Sequence, residues 1–189
     1  YHLKRTAVPV GAWRSVSYPH MGFVIESFID MLAHHAGADP YRFRREHMTE
    51  PRLRTAMDIA VEHAGWERGA PEGRALGLAA VSSFYSHVAE VAEVSVEDGR
   101  VRVHKVVVGV DCGRVVNPDT LEAQIEGAIT LALGFTLKHQ ITIEDGAVVE
   151  RNYTDYPIIR IDEMPEVEVH VVPSDEPPTG IGEPPVPPL

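Results

Sequence analysis

The segment Thr179-Gly180-Ile181-Gly182-Glu183-Pro184-Pro185 presents one carboxylate between two glycines and two prolines. Gly180 and Gly182 carry no Cβ, so another molecule can approach the backbone closely there. Pro184 disfavours helical φ/ψ at Glu183 and pushes it towards an extended conformation. A carboxylate held stiffly on a thin stretch of chain suits a general base. The same stretch also reads as a polyproline II tail, because seven prolines fall in the last 17 residues from Pro173.

Other chemistry-bearing residues are sparse. The ten histidines show no metal-ligand spacing, so no residue is assigned to a metal. His34-His35 occupies consecutive helix positions, which point in different directions, and reads as a solvated face. The single cysteine, Cys112, can form no intrachain disulfide and no cysteine-based zinc or iron–sulfur site within this chain. It follows an apolar run and reads as a small buried hydrophobe. Gln124 lies on the glycine-bearing face of a predicted helix, where its plain reading is a buried amide satisfied by backbone groups. The chain has neither a Walker-type glycine loop nor a G-x-S-x-G elbow.

The elements that must position these residues change period along the chain. Apolar residues at Val24, Phe28, Leu32 and Ala36, widened by Ile25 and Ile29, predict a helix over Met21–Ala36 with that stripe covered. Asp39-Pro40 opens a short basic helix through Met48. Pro51 starts another, lined by Leu53, Ala56, Met57, Ala60, Val61 and Ala64 and stopped by Gly65. From Ala75 the composition shifts to small and β-branched residues. Asp98-Gly99 signals a hairpin pairing Ala89–Val96 with Arg100–Val108. Val106-Val107-Val108 reads as a strand buried on both faces. Asn117-Pro118 caps a helix whose covered side carries Leu121, Gln124, Ile125, Ala128, Leu131 and Ala132. Asp145-Gly146 marks a second hairpin, and Val167–Val171 a last strand. The expected class is α+β, a mixed, largely antiparallel sheet covered by helices. Residues 1–74 are read as mainly helical, 75–172 as sheet plus helix, and 173–189 as the Pro-rich segment carrying Gly-x-Gly-Glu.

With 44% hydrophobic and 24% charged residues, the 189-residue chain can bury a real core. Its net charge of −11 argues against nucleic acid or anionic membranes as partners. The first residue is Tyr1 rather than Met, so the chain is expected to be a fragment.

Taken in order, several segments resemble the C-terminal part of the molybdenum-binding subunit of the xanthine dehydrogenase and aldehyde oxidase family. They are Val110-Asp-Cys-Gly-Arg-Val-Val-Asn-Pro118, Gln124-Ile-Glu-Gly127, Asp155-Tyr-Pro157 and Gly180-Ile-Gly-Glu183. Within that family, Val10-Gly-Ala-Trp-Arg-Ser-Val16, Glu26-Ser-Phe-Ile-Asp30 and Asp39-Pro-Tyr-Arg-Phe-Arg44 are similar to the isoquinoline 1-oxidoreductase β-subunit. The resemblance runs from Val8 to Pro188.

It implies a part of a molybdenum hydroxylase that oxidises an aldehyde or N-heterocycle with water as oxygen source. Glu183 stands at the position of the family's base, Gln124 at that of a glutamine near the pterin, and Arg14 at that of an arginine beside the active site. Gly182 belongs with the cofactor-binding positions. The implied cofactor is molybdopterin, including its cytosine dinucleotide form, held by the full protein and absent from this fragment alone. The implied partners are a small [2Fe-2S] subunit, the substrate and, through uncovered interfaces, a second copy of the chain or a disordered terminus. Where many members have Gly-Phe-Gly after the arginine, this chain has Ser15-Val16-Ser17 and lacks the phenylalanine that stacks on substrate. The alternative is a cofactor-free fragment acting as a structural or interaction module. Cytoplasm and periplasm both remain open.

Overall fold

A computed structural model describes residues 10–189; Val8 and the rest of residues 1–9 lie outside the described residues. The core is a four-stranded sheet built from β1 (Ala75–Ser83), β2 (Ser86–Glu97), β3 (Arg100–Asp111) and β6 (Glu166–Val171). These strands lie side by side in the order β1-β2-β3-β6. The first two junctions are antiparallel, and β3 pairs with β6 in parallel. A two-stranded ribbon, β4 (Ile143–Glu144) and β5 (Ala147–Val148), forms at the Asp145-Gly146 turn.

Period-2 alternation divides the strands between two cores. Val88, Val106, Val108 and Val110 face helix α4 (Pro118–Leu137), packing on Leu121, Ile125, Ile129 and Leu133. Leu78, Ala80, Ala89 and Val91 face helix α3 (Pro51–Ala64), packing on Leu53, Met57, Ala60 and Val61. The expected covered α+β sheet is therefore what the chain forms. The Asp98-Gly99 hairpin pairs Val96 with Val101, and a register shift follows at Glu93/Val94. Asn117 accepts from the Thr120 N–H as the N-cap of α4, and Asp39 does the same for Arg42 at helix α2 (Pro40–His47).

Three expectations are overturned. Helix α1 spans Tyr18–His35, and its buried positions are Gly22, Glu26 and Ala33. The apolar stripe points outward, with Phe23 72% and Phe28 57% exposed. Glu26 wins the buried side because it is paired there: its Oε2 accepts from Arg44 Nε at 3.0 Å and from the Ala80 N–H of edge strand β1 at 3.0 Å. Next, the Pro-rich end is neither a solvated polyproline II tail nor a disordered terminus. Pro184 to Pro188 are buried, and Val186 packs on Ala128 and Ala132 of α4. Last, Gln124 is exposed rather than on the covered side of α4.

Glu90 of β2 is 1% exposed, and neither carboxyl oxygen has a hydrogen-bond partner among the described residues. Burial pushes its pKa well above the usual 4.5. The folded chain thus keeps this proton at pH values where the unfolded chain has released it, so stability falls as pH rises above the unfolded value. Glu90→Met should raise stability at neutral pH by about 1–3 kcal/mol, the scale of an unsatisfied buried polar group. The gain should shrink in mild acid. Urea titrations at the two pH values check this, and equal stability of variant and parent at neutral pH would refute it.

Candidate active site

Two distant pieces of chain close on each other around Glu183. The piece Arg14-Ser15-Val16 precedes α1 and turns with positive φ at two non-glycine residues, Ser15 (76°) and Val16 (54°). For a β-branched residue such as Val16 that conformation is strained, and strain of this kind persists only where neighbouring contacts enforce it. Those contacts are present. The Ser15 N–H donates to Glu183 Oε1 at 2.8 Å, and Ser15 Oγ donates to the Glu183 carbonyl at 2.7 Å. Arg14 Nε donates to the Gly182 carbonyl at 2.6 Å. Its Nη2 reaches the Gln124 carbonyl at 3.2 Å and Gln124 Oε1 at 3.4 Å. Arg14, Gln124, Gly182 and Glu183 are therefore brought together.

The far side of the segment is held by the loop after β3. Val172 N–H donates to the Val110 carbonyl, Arg114 N–H to that of Glu176, and Thr179 N–H to that of Cys112. Ser86, at the start of β2, donates from Oγ to the Gly180 carbonyl at 2.7 Å. Gly113 allows this closeness: its φ is +72°, and an added Cβ would fall 2.2 Å from the Pro177 carbonyl oxygen. Asp111 fixes the loop by accepting from Arg52 at 2.8 and 2.6 Å and from the Gly113 N–H at 3.0 Å. Despite burial, the Arg52 guanidinium and the Gly113 N–H hold the Asp111 carboxyl below its usual range. Cys112 is buried beside it, and burial raises its thiol pKa, which disfavours the reactive thiolate.

Glu183 thus has one oxygen, Oε1, engaged by a backbone N–H, while Oε2 accepts no hydrogen bond from the described residues. This leaves a fixed carboxylate with a free lone pair, the arrangement a proton acceptor needs. An open groove of about 320 Å³ runs past the same stretch of chain, lined by Asn117, Thr120, Gln124, Thr179 and Ile181 among others; Glu183 itself does not line it. Next to the groove, the glycines of the segment keep the chain thin. A Cβ on Gly180 would meet nothing within 4 Å, and one on Gly182 would lie 3.3 Å from Gln124 Oε1. Gln124 is exposed and lines the groove, and its amide nitrogen donates to no described residue, so an amide and a thin glycine backbone are what this stretch offers to one polar edge of a pterin.

Arg14 stands with Gln124 and Gly182, and since its Nε and Nη2 are spent on them it acts as a clamp on the segment. Asp155-Tyr-Pro157 does not join the site. Tyr156 stacks on His139, just past the C-terminal end of α4, and Pro157 lines a separate groove with Leu133, Leu137 and Lys138. Sequence reasoning missed Ser15 and Ser86, whose hydroxyls carry no local pattern. It also missed a histidine cluster, His63 with Glu168 and His170, whose ligand atoms lie within 4.8 Å of one another.

Residues 31–165 match the family model described as the molybdopterin cofactor-binding domain. That span includes Gln124 and excludes Arg14, Gly182 and Glu183. The chain is 32% identical to the β-subunit of isoquinoline 1-oxidoreductase from Brevundimonas diminuta, over 95% of this chain and 24% of that protein. It is 34% identical to a nicotinate dehydrogenase subunit from Pseudomonas putida, over 90% of this chain and 16% of that protein. It spans a quarter or less of these two curated relatives. Its fold matches the aldehyde oxidoreductase from Desulfovibrio gigas with a TM-score of 0.72, at 12% identity, over 93% of this chain and 38% of that one.

Proposed function

The chain belongs to the molybdopterin cofactor-binding domain family, and on that premise we propose that it forms the base-bearing wall of a molybdenum hydroxylase active site. The observation that carries this reading is the clasped Glu183 carboxylate, with Oε1 fixed by the Ser15 N–H and Oε2 accepting no hydrogen bond from the described residues, two residues on from Ile181 in the groove wall. When bound, the cofactor supplies a Lewis-acidic metal that activates water and accepts two electrons. This chain's residues do the rest. Glu183 Oε2 accepts a proton from water during attack on an electron-poor carbon. Ser15 prevents the carboxylate from rotating away. Gln124, and Gly182 through its missing side chain, receive the polar edge of the pterin, and Arg14 ties both together. Substrates are aldehydes or N-heterocycles, the classes named in the relatives, and the new oxygen comes from water.

The longer subunit completes the cofactor pocket, including the space for a dinucleotide extension, and covers the apolar face of α1. Electrons leave to a small [2Fe-2S] partner, the assignment the family resemblance implies and one compatible with a chain whose one cysteine, Cys112, is buried. The isolated chain is expected to carry no molybdenum.

The test is turnover of the complete subunit with its partner in isotope-labelled water, where the product should carry the label. Label arriving instead from dioxygen would contradict the reading. Gln124→Ala preserves the helix but removes the amide, so pterin affinity should fall roughly tenfold, the worth of one or two hydrogen bonds. Cofactor content measured after dialysis checks that step, and unchanged retention would remove Gln124 from the site.

A further inference from the structure

We propose that His63, Glu168 and His170 form a binding site for a zinc-like divalent cation on the α3 side of the sheet, apart from the Glu183 site. Glu168 and His170 stand two residues apart on edge strand β6, so both side chains point to the same face. His170 lies beside Gly109 in the parallel register. The missing side chain there leaves α3 close against the sheet, and His63, in the last turn of α3, meets the two β6 residues from above. The imidazoles of His63 and His170 stack at 3.4 Å. Glu168 Oε1 lies 2.6 Å from His170 Nε2 and 3.8 Å from His63 Nδ1. Ligands around a tetrahedral zinc with bonds of about 2.0–2.1 Å sit roughly 3.4 Å apart, so metal binding would part Glu168 from His170, draw His63 in and splay the two stacked rings.

Two imidazoles and one carboxylate make a borderline donor set that favours Zn²⁺ over Mg²⁺ or Ca²⁺. The half-exposed position leaves a fourth place for water. Lys105 Nζ, 2.5 Å from Glu168 Oε2 and 3.3 Å from Glu166 Oε1, holds the carboxylate's other oxygen. It orients Glu168 while opposing a second positive charge. None of these residues contributes to the Glu183 site, so the proposal is independent of the molybdenum reading.

The experiment titrates the 189-residue chain with Co²⁺ and then Zn²⁺, following the visible absorption of tetrahedral Co²⁺ and the heat of binding. One saturable equivalent, displaced by Zn²⁺, is expected. His63→Leu and His170→Ala should each weaken it by about tenfold or more, on the scale seen when a site loses an anchoring group. His63→Asp restores a ligand atom and should recover part of the affinity. Lys105→Met should tighten binding. His34→Ala, far along α1, should change nothing. Because His63 is exposed, His63→Leu leaves the core intact, and circular dichroism checks the fold of each variant. Absence of a saturable equivalent, or a folded His63→Leu chain binding like the parent, would overturn the proposal.

Discussion

Replacing Glu183 by Gln in the complete, cofactor-loaded subunit is expected to lower turnover by roughly 10²–10⁴-fold, the usual contribution of a positioned general base. The substitution keeps shape and volume. An amide oxygen at the Oε1 position can still accept the Ser15 N–H that bonds there at 2.8 Å, so the clasp with Arg14 survives. What disappears is the lone pair on Oε2 that could take a proton. Molybdenum content should therefore stay at the parent level while the rate falls. This separates Glu183 from Gln124, whose loss acts through cofactor retention. A drop in rate that merely tracked lost metal would place Glu183 among structural residues, and parent-like turnover at full occupancy would exclude it as base.

Arg44→Leu is expected to cost the fold about 3–5 kcal/mol, the penalty for stranding one half of a buried ion pair. The Arg44 side chain is 1% exposed and reaches Glu26 Oε2 at 3.0 Å, Asp30 Oδ1 at 2.5 Å and the carbonyls of Glu26 and Pro40 at 3.1 and 3.2 Å. It is the joint between α1, α2 and, through Glu26, the edge of β1. Without it the Glu26 carboxylate stays buried and unpaired. The double variant Arg44→Leu/Glu26→Leu should recover part of the loss, held short of full recovery by the Ala80 N–H left without an acceptor. Chemical denaturation of the single and double variants reads the coupling. Additive losses would mean the two charges do not depend on each other. The joint also matters for the site, because α1 carries the Arg14-Ser15-Val16 turn at its N-terminal end, and a loosened α1 would release the clasp.

Much of the fold is legible where local chemistry decides it. Asp39 and Asn117 cap their helices as their side chains require, Gly65 ends α3, and Asp98-Gly99 closes a hairpin with φ of 51° and 74°. The turn between β1 and β2 is not legible. Phe84 and Tyr85 hold φ of 50° and 65° there without any glycine or asparagine. Phe84 packs on Tyr18 of α1, 5.1 Å between ring centroids, so tertiary contact overrides the local preference. The face of α1 escapes sequence reasoning for a similar reason: the stripe of Val24, Phe28 and Leu32 has the right period, but Arg44 and the β1 edge draw the opposite, Glu26-bearing side inward. In the site, Glu183 and Gln124 are marked by the family resemblance and its residue order. Ser15 and Ser86 cannot be found that way, since each acts through one hydrogen bond to a residue far along the chain. The His63 cluster is hidden similarly, because its helix and strand meet only once the sheet has formed.

The central claim is that the free oxygen of Glu183 faces the reacting centre. A structure of the complete subunit with cofactor and partner tests it most directly. The account predicts Glu183 Oε2 within hydrogen-bond reach, about 2.6–3.2 Å, of an oxygen on the molybdenum, with Oε1 still held by the Ser15 N–H and the Gln124 amide against the pterin. A cofactor seated away from the Gly180–Glu183 segment, or a Glu183 carboxylate turned from the metal with both oxygens bonded to protein, would contradict it.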